Sequence, residues 1–504
     1  MTFDVHALDV FLLVGSAVTL LAILAVRVSS RAGLPSLLIY LAMGALLGEG
    51  GLGLMFEDFQ LAHALGFGAL VVILAEGGLT TEWSEVRPSM RLGLLLATVG
   101  VGVSVLVMAV FGHYVLGLPW QLAVLLGAVC SPTDSAAVFS VLRMVPLPKR
   151  LTGVLEAESG LNDAPTVVLV TVISSGAFGE YGVSLTVLVI LAELVGGLVM
   201  GLAIGFGGAW LMRRAALPSS GLYPLAVLCL TLLAYAAAAG VHASGFAAVY
   251  VAALVLGNQE LPHRAATRSF AEGFAWLAQI GLFVMLGLLL SPERITLEVV
   301  GIAVVAGLAL TVLARPLSVL VSTLVPPRRR DMGRRELAFV SWAGLRGAVP
   351  IVLATIPLAN GVSGATRLFD IVFVMVVIYT VLTGPTLPTV ARVLRVASRS
   401  EPRGLDVEVA PLERIAADLL QVTISPRSKM HGVEVGELRL PLGSSVSLVI
   451  REGQALVPER RTVLKSGDDL LVVTTRKQRD ATEKRLRTIS RHGRLARWLA
   501  DDPA

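Results

Sequence analysis

Apolar residues run along most of this chain in long blocks, broken by short polar stretches. They do not follow the alternating pattern of half-buried strands, nor the one-sided stripe of helices in soluble proteins. A helix that crosses a bilayer needs about 20 apolar residues. That length divides the chain into about 13 predicted membrane-spanning segments. They lie near 8–26, 33–48, 61–79, 92–112, 119–142, 152–176, 184–212, 221–240, 243–257, 270–290, 296–325, 335–359 and 368–394. The segment at 243–257 is short, and the one at 296–325 is interrupted by Arg315-Pro316. Near 400 the pattern changes. Residues 419–424, 445–450, 454–457 and 470–474 read as short strands bounded by Gly, Pro and Asp, and Val433–Leu438 reads as a short helix. The expected class is a polytopic α-helical membrane protein carrying a small α/β C-terminal domain.

Composition supports the division. Only 15% of the 504 residues are charged and 55% are hydrophobic, against about 25% charged in a soluble domain. Mean hydropathy is +0.79. Of the 77 charged residues, 33 fall in the last 104 positions. Disorder, collagen and a disulfide scaffold are excluded, and Cys130 and Cys229 both sit in apolar runs. With the N-terminus outside, the inner loops carry 19 Lys/Arg and the outer loops only Arg294 and Arg367. This positive-inside bias predicts a cytoplasmic C-terminal domain in the plasma (inner) membrane. It also accounts for the net charge of +5 without nucleic-acid binding. Residues 1–7 lack the basic start of a cleaved signal peptide.

Against that sparse background four ionisable residues stand inside apolar segments: Asp134, Glu158, Asp163 and Arg346. Intramembrane charges are costly and mark function by default. Counted from the inner ends of their segments at 1.5 Å per residue, Asp163 and Arg346 lie roughly 16 Å deep and Asp134 roughly 14 Å, in a core about 30 Å thick. Two of these segments are predicted to unwind, at Ser131-Pro132-Thr133-Asp134-Ser135 and at Gly344-Leu345-Arg346-Gly347-Ala348-Val349-Pro350. They correspond if segments 1–6 and 8–13 are inverted six-helix halves joined by the seventh. Interrupted helices at matching places in inverted halves point to a transporter's binding site.

The donors there are oxygens: Asp163 and Asp134 as carboxylates, Asn162, Thr133 and Ser159 as neutral groups. That set suits an alkali cation. A carboxylate buried from water holds its proton more readily, so one group can carry a proton or a cation but not both. Asn162 does not titrate, which leaves Asp163 as the proton carrier and favours one-for-one, electroneutral exchange. Arg346 is read as structural, a partner for Glu158 or for a helix end. Glu76 is read as interfacial and Glu156 as mouth-lining, while Glu193 and Asp370 stay unassigned. Gly48-Glu-Gly50-Gly-Leu-Gly53 matches a dinucleotide-binding pattern, but it follows a membrane helix and reads as a loop turn.

Ser131-Pro-Thr-Asp134-Ser-Ala-Ala-Val-Phe139, Glu158-Ser-Gly-Leu-Asn-Asp163 and Gly344-Leu-Arg-Gly-Ala-Val-Pro350 resemble the bacterial cation/proton antiporters of the NhaP type over roughly 1–395. The resemblance implies thirteen helices, two unwound crossing helices, a homodimer, and a mobile core bundle that alternates access across a static dimerisation bundle. It implies that Asp163 binds cation and proton, with Asn162, Thr133, Asp134 and Ser159 in or beside the site, and that Glu158 and Arg346 form a structural ion pair. Its Asn-Asp order resembles electroneutral members. The stretch Val463-Leu-Lys-Ser-Gly-Asp-Asp-Leu-Leu-Val-Val473 resembles the TrkA-C (RCK-C) module, which implies regulation by a small ligand such as a nucleotide and favours the potassium/proton subgroup. The expected layout is a membrane domain at 1–398, a linker at 399–409, the TrkA-C domain at 410–487 and a basic tail at 488–504. No resident cofactor is expected. A Na⁺/H⁺ antiporter is the alternative. A ligand-gated cation channel is weaker, for no Thr-Val-Gly-Tyr-Gly filter occurs. No constellation supports an enzyme.

Overall fold

The computed structural model describes residues 5–32, 35–54, 56, 58–142, 145, 147–324, 332–397, 405–412, 417–425, 428–451 and 453–493. The chain forms two compact units, Met1–Ser398 and Arg399–Ala504.

In the first unit each predicted apolar segment falls on a helix or a group of consecutive helices. Among the described residues, seven helical runs are long and apolar enough to cross a membrane, with shorter apolar helices such as Ser36–Leu47 and Trp120–Cys130 between them. Two are broken. Residues 131–134 separate Trp120–Cys130 from Ser135–Leu142, and residues 343–347 separate Arg334–Trp342 from Ala348–Leu353. Pro132 has no N–H to continue a helix. The two breaks cross, and the backbone N–H of Asp134 donates to the Leu345 carbonyl at 2.8 Å. The approach is close enough to require glycine: a Cβ on Gly347 would stand 1.9 Å from Asp134 Oδ2.

A second matched irregularity was not legible in the sequence. Trp83–Tyr114 contains a π-helical turn at Leu96–Gly100, and Leu297–Leu324 contains one at Leu310–Ala314. These are the fourth and eleventh segments, equivalent under the inverted repeat. They pack against one another, and Ser322 Oγ donates to the Leu95 carbonyl at 3.3 Å. Such single widened turns redirect the residues that follow them, and Arg315 follows the second directly.

The helices pack as two groups. The first contains Ser36–Leu47, Phe59–Thr80, Ala177–Arg214, Leu222–Gly240, Gly245–Asn258 and Arg264–Leu288. Small residues let backbones touch there, as membrane helices require. A Cβ on Gly44 would meet the Val284 carbonyl at 2.1 Å, and one on Gly287 the Leu41 carbonyl at 2.3 Å. The second group holds both broken helices and Lys149–Ser174. Phe59–Thr80 meets the second group directly near its start. There His63 Nδ1 lies 3.0 Å from Thr355 Oγ1, and Gly66 packs against Val352. Nearer its C-terminal end the same helix borders a cavity.

The second unit is a five-stranded antiparallel sheet in the order β1-β2-β5-β3-β4. The strands are β1 (Leu405–Leu412), β2 (Ala417–Ile424), β3 (Ser444–Arg451), β4 (Gln454–Leu456) and β5 (Asp469–Thr475), followed by the helix Arg479–His492. Alternate residues of β5, Leu470, Val472 and Thr474, face a core shared with Leu486 and Ile489. The expected linker is corrected here: residues 405–409 pair in register with β2, while 399–404 lie outside the described residues. The helix expected over Val433–Leu438 is a 3₁₀ turn at Val435–Leu438. Of the basic tail, 488–492 complete the last helix, and 494–504 lie outside the described residues. Asp468 is fully buried and accepts from Arg451 at 2.7 and 2.8 Å and from the Lys465 backbone at 2.7 Å. Burial raises its pKa, but those bonds outweigh burial and hold the carboxyl below the usual aspartate range.

Candidate cation-binding site

The break after Cys130 sets the first half of the site. Ser131 Oγ donates to the Gly127 carbonyl at 2.6 Å, so the broken helix end is partly satisfied from its own side chain. Asp134 Oδ1 accepts from the Ala137 N–H at 3.1 Å, an N-cap for the second half-helix. Thr133 faces the helix Lys149–Ser174, where Asn162 Nδ2 donates to Thr133 Oγ1 at 3.0 Å. Ser159 Oγ accepts from the Ser135 N–H at 3.2 Å. Thr133, Asp134, Ser159, Asn162 and Asp163, singled out in the sequence, therefore come together where the crossing meets this helix.

Pro165 lies inside the helix and removes one of its hydrogen bonds just beyond the site. Thr166 Oγ1 bonds the carbonyls of Asn162 and Asp163, each at 2.8 Å. Asp163 is 8% exposed and Asn162 1%. Among the described residues neither Asp163 Oδ1 nor Asn162 Oδ1 has a hydrogen-bond partner. Unpartnered buried oxygens are costly and call for an explanation. An alkali ion or a proton supplies one, because both want oxygen.

Asp163 opens on a cavity of about 130 Å³ lined also by Thr133, Asp134, Glu156, Ser159 and Glu76. A second cavity of about 350 Å³ shares Ile73, Glu76 and Gln279 with the first and continues to Glu272. Glu76 is thus one of the residues that line both cavities. Among the described residues no group of three or more His, Cys, Asp and Glu is arranged to hold a metal ion.

The expected ion pair is corrected. Glu158 is paired with Arg315: Arg315 Nη1 donates to Oε1, and Nη2 donates to Oε2 at 2.8 Å and to the Val340 carbonyl at 3.3 Å. Arg346 turns the other way. Its Nε donates to the Cys130 carbonyl at 3.1 Å and its Nη1 to the Gly344 carbonyl. It thus closes the C-terminal end of the first half-helix, where carbonyls carry partial negative charge. In the sequence Arg315 stands only as an interruption of an apolar run. The signal was present, since a basic residue in the middle of an apolar run asks for a partner.

Residues 16–393 match the sodium/hydrogen exchanger transmembrane family, and residues 419–487 match the TrkA-C domain. The chain belongs to the sodium/hydrogen exchanger family. Among similar exchangers is the K(+)/H(+) antiporter NhaP2 of Shewanella oneidensis, 33% identical over 99% of this chain and 87% of that protein. The K(+)/H(+) antiporter NhaP of Alkalimonas amylolytica is 35% identical over 93% and 82%. The Na(+)/H(+) antiporter ApNhaP of Aphanothece halophytica is 27% identical over 76% of each. The exchanger fold is shared with the sodium proton antiporter MjNhaP1 of Methanocaldococcus jannaschii, at a TM-score of 0.67 and 21% identity over 77% of this chain and 99% of that one.

Proposed function

We propose that this exchanger is a secondary antiporter that trades a monovalent cation, K⁺ in preference to Na⁺, for a proton at Asp163. The observation that carries the reading is the pair of buried, unpartnered oxygens, Asp163 Oδ1 and Asn162 Oδ1, beside two crossed helix breaks, with Asp163 on the wall of a cavity. Cation and proton compete for Asp163, with Thr133, Asp134 and Ser159 in or beside the site. A site with one titrating member of the Asn162–Asp163 pair exchanges one charge for one charge, so transport is electroneutral. Alternating access follows if the second helix group moves against the first: direct contact at His63–Thr355 closes one end of their boundary, while the cavity opens nearer the other.

The preference for K⁺ is supported by the whole-length likeness to relatives named K(+)/H(+) antiporters and by the TrkA-C domain. The positive-inside bias supports an outer N-terminus and a cytoplasmic C-terminal domain in the plasma membrane. The exchanger works as a homodimer, and the TrkA-C domain regulates it by binding a small ligand of the nucleotide class. Purified protein in proteoliposomes with an imposed pH gradient tests the exchange. Cation-dependent proton movement, larger with K⁺ than Na⁺ and unchanged when membrane potential is clamped, is expected. Cation current without proton movement would favour a channel.

A further inference from the structure

We propose that Tyr250 is a positioning residue for the ion-binding carboxylate, acting through Gly160. Tyr250 belongs to Gly245–Asn258 in the first helix group and is 5% exposed. Gly160 lies in Lys149–Ser174, between Ser159 and the Asn162-Asp163 pair. A Cβ on Gly160 would stand 2.2 Å from the Tyr250 hydroxyl oxygen, 2.4 Å from Cζ and 2.7 Å from Cε2. The phenol therefore occupies the space a side chain at 160 would take. Both residues line the same cavity as Ser159 and Asp163. The two helix groups thus meet, beside the ion site, as a rigid ring against bare backbone.

This contact has two physical consequences. A ring with two side-chain torsions is stiff, so it sets the distance between the site-bearing turn and the opposite wall. Glycine presents no side chain, so the surfaces can part and rejoin without unlocking interdigitated groups, as alternating access needs. Tyr250 then tunes cation affinity by holding the Ser159–Asp163 turn, without ligating the ion. The ring carbons Cζ and Cε2 by themselves stand within 2.7 Å of that Cβ position, so the ring still fills the space once the hydroxyl is removed.

The inference deepens the exchange reading and rests on it. The test is cation-dependent proton movement by the full-length protein in proteoliposomes, comparing wild type with Tyr250→Phe, Tyr250→Leu, Gly160→Ala and the Gly160→Ala/Tyr250→Leu double variant. Tyr250→Phe is expected to keep the wild-type cation KM. Gly160→Ala is expected to raise KM about tenfold or more through overpacking, with a smaller effect on the rate at saturating cation. Removing the ring should recover most of that loss in the double variant. A wild-type KM in Gly160→Ala, or a double variant no better than Gly160→Ala, would overturn the proposal, as would a fall in maximal rate with KM unchanged. If Gly160→Ala does not fold, Tyr250→Leu should raise KM where Tyr250→Phe does not, and equal KM values would overturn it. Wild-type protein without cation-dependent proton movement would instead sink the exchange reading itself.

Discussion

Glu158 and Arg315 form a buried, two-pronged ion pair between the sixth and eleventh apolar segments, with both side chains at most 4% exposed. The pair ties the helix carrying Asn162 and Asp163 to the helix with the second π turn. Neither residue is among those that line the cavity at Asp163.

Breaking this pair from one side leaves a buried charge without a partner. Arg315→Ala or Glu158→Gln should each cost about 3–5 kcal/mol. Thermal unfolding in detergent measures this, and the combined variant should lose less than the sum of the singles because the two sites are coupled. Arg346→Ala should leave the Glu158–Arg315 pair intact and destabilise by the loss of helix-end bonds, about 1–3 kcal/mol. A strong coupling energy between Glu158 and Arg346 in a double-mutant cycle would contradict the pairing.

Gly347→Ala should abolish exchange. The added methyl would fall 1.9 Å from Asp134 Oδ2, at the place where the two helix breaks cross. Transport assays on folded Gly347→Ala protein check this, and wild-type activity would mean that the crossing is looser than it stands here.

Glu76→Gln should raise the cation KM severalfold while leaving proton coupling intact. Glu76 lines both cavities, and its carboxylate, when ionised, draws cations towards the cavity that holds Asp163. Asp163→Asn should stop exchange altogether, so the ratio of the two effects separates approach from binding.

Asp468→Asn should destabilise the C-terminal domain by about 1–3 kcal/mol, since Arg451 and the Lys465 N–H lose a charged acceptor. The sign with pH follows from the lowered pKa of Asp468. Its contribution is fully present above the unfolded aspartate pKa of about 3.9 and is lost as pH falls through the lower folded value. Thermal melts of the full-length protein between pH 7 and 3 should therefore converge for wild type and variant at the acid end.

Much of this organisation is legible in the sequence because its causes are local. Apolar length is enough to find the membrane segments, and Pro132 and Gly344–Pro350 mark where two of them unwind. The β2, β3, β4 and β5 strands are bounded by turn residues that punctuate any chain. What escaped depends on packing. Nothing in the sequence distinguishes Arg315 from Arg346 as the partner of Glu158, because the choice depends on which way each helix is turned, and a π turn at Leu310–Ala314 alters that turn for Arg315. Residues 405–409 of strand β1 read as linker, although they alternate apolar and acidic residues as a half-buried strand does. Tyr250 lies in an ordinary apolar run, and only its seat on Gly160 distinguishes it.

The central claim is that one carboxylate carries both proton and cation. It is tested most directly by reconstituting wild type and Asp163→Asn in proteoliposomes, imposing an acidic interior, and following internal pH when K⁺ or Na⁺ is added outside. The wild-type interior should turn alkaline on cation addition and Asp163→Asn should show no response to either ion. Full cation-driven proton flux in Asp163→Asn would contradict the account.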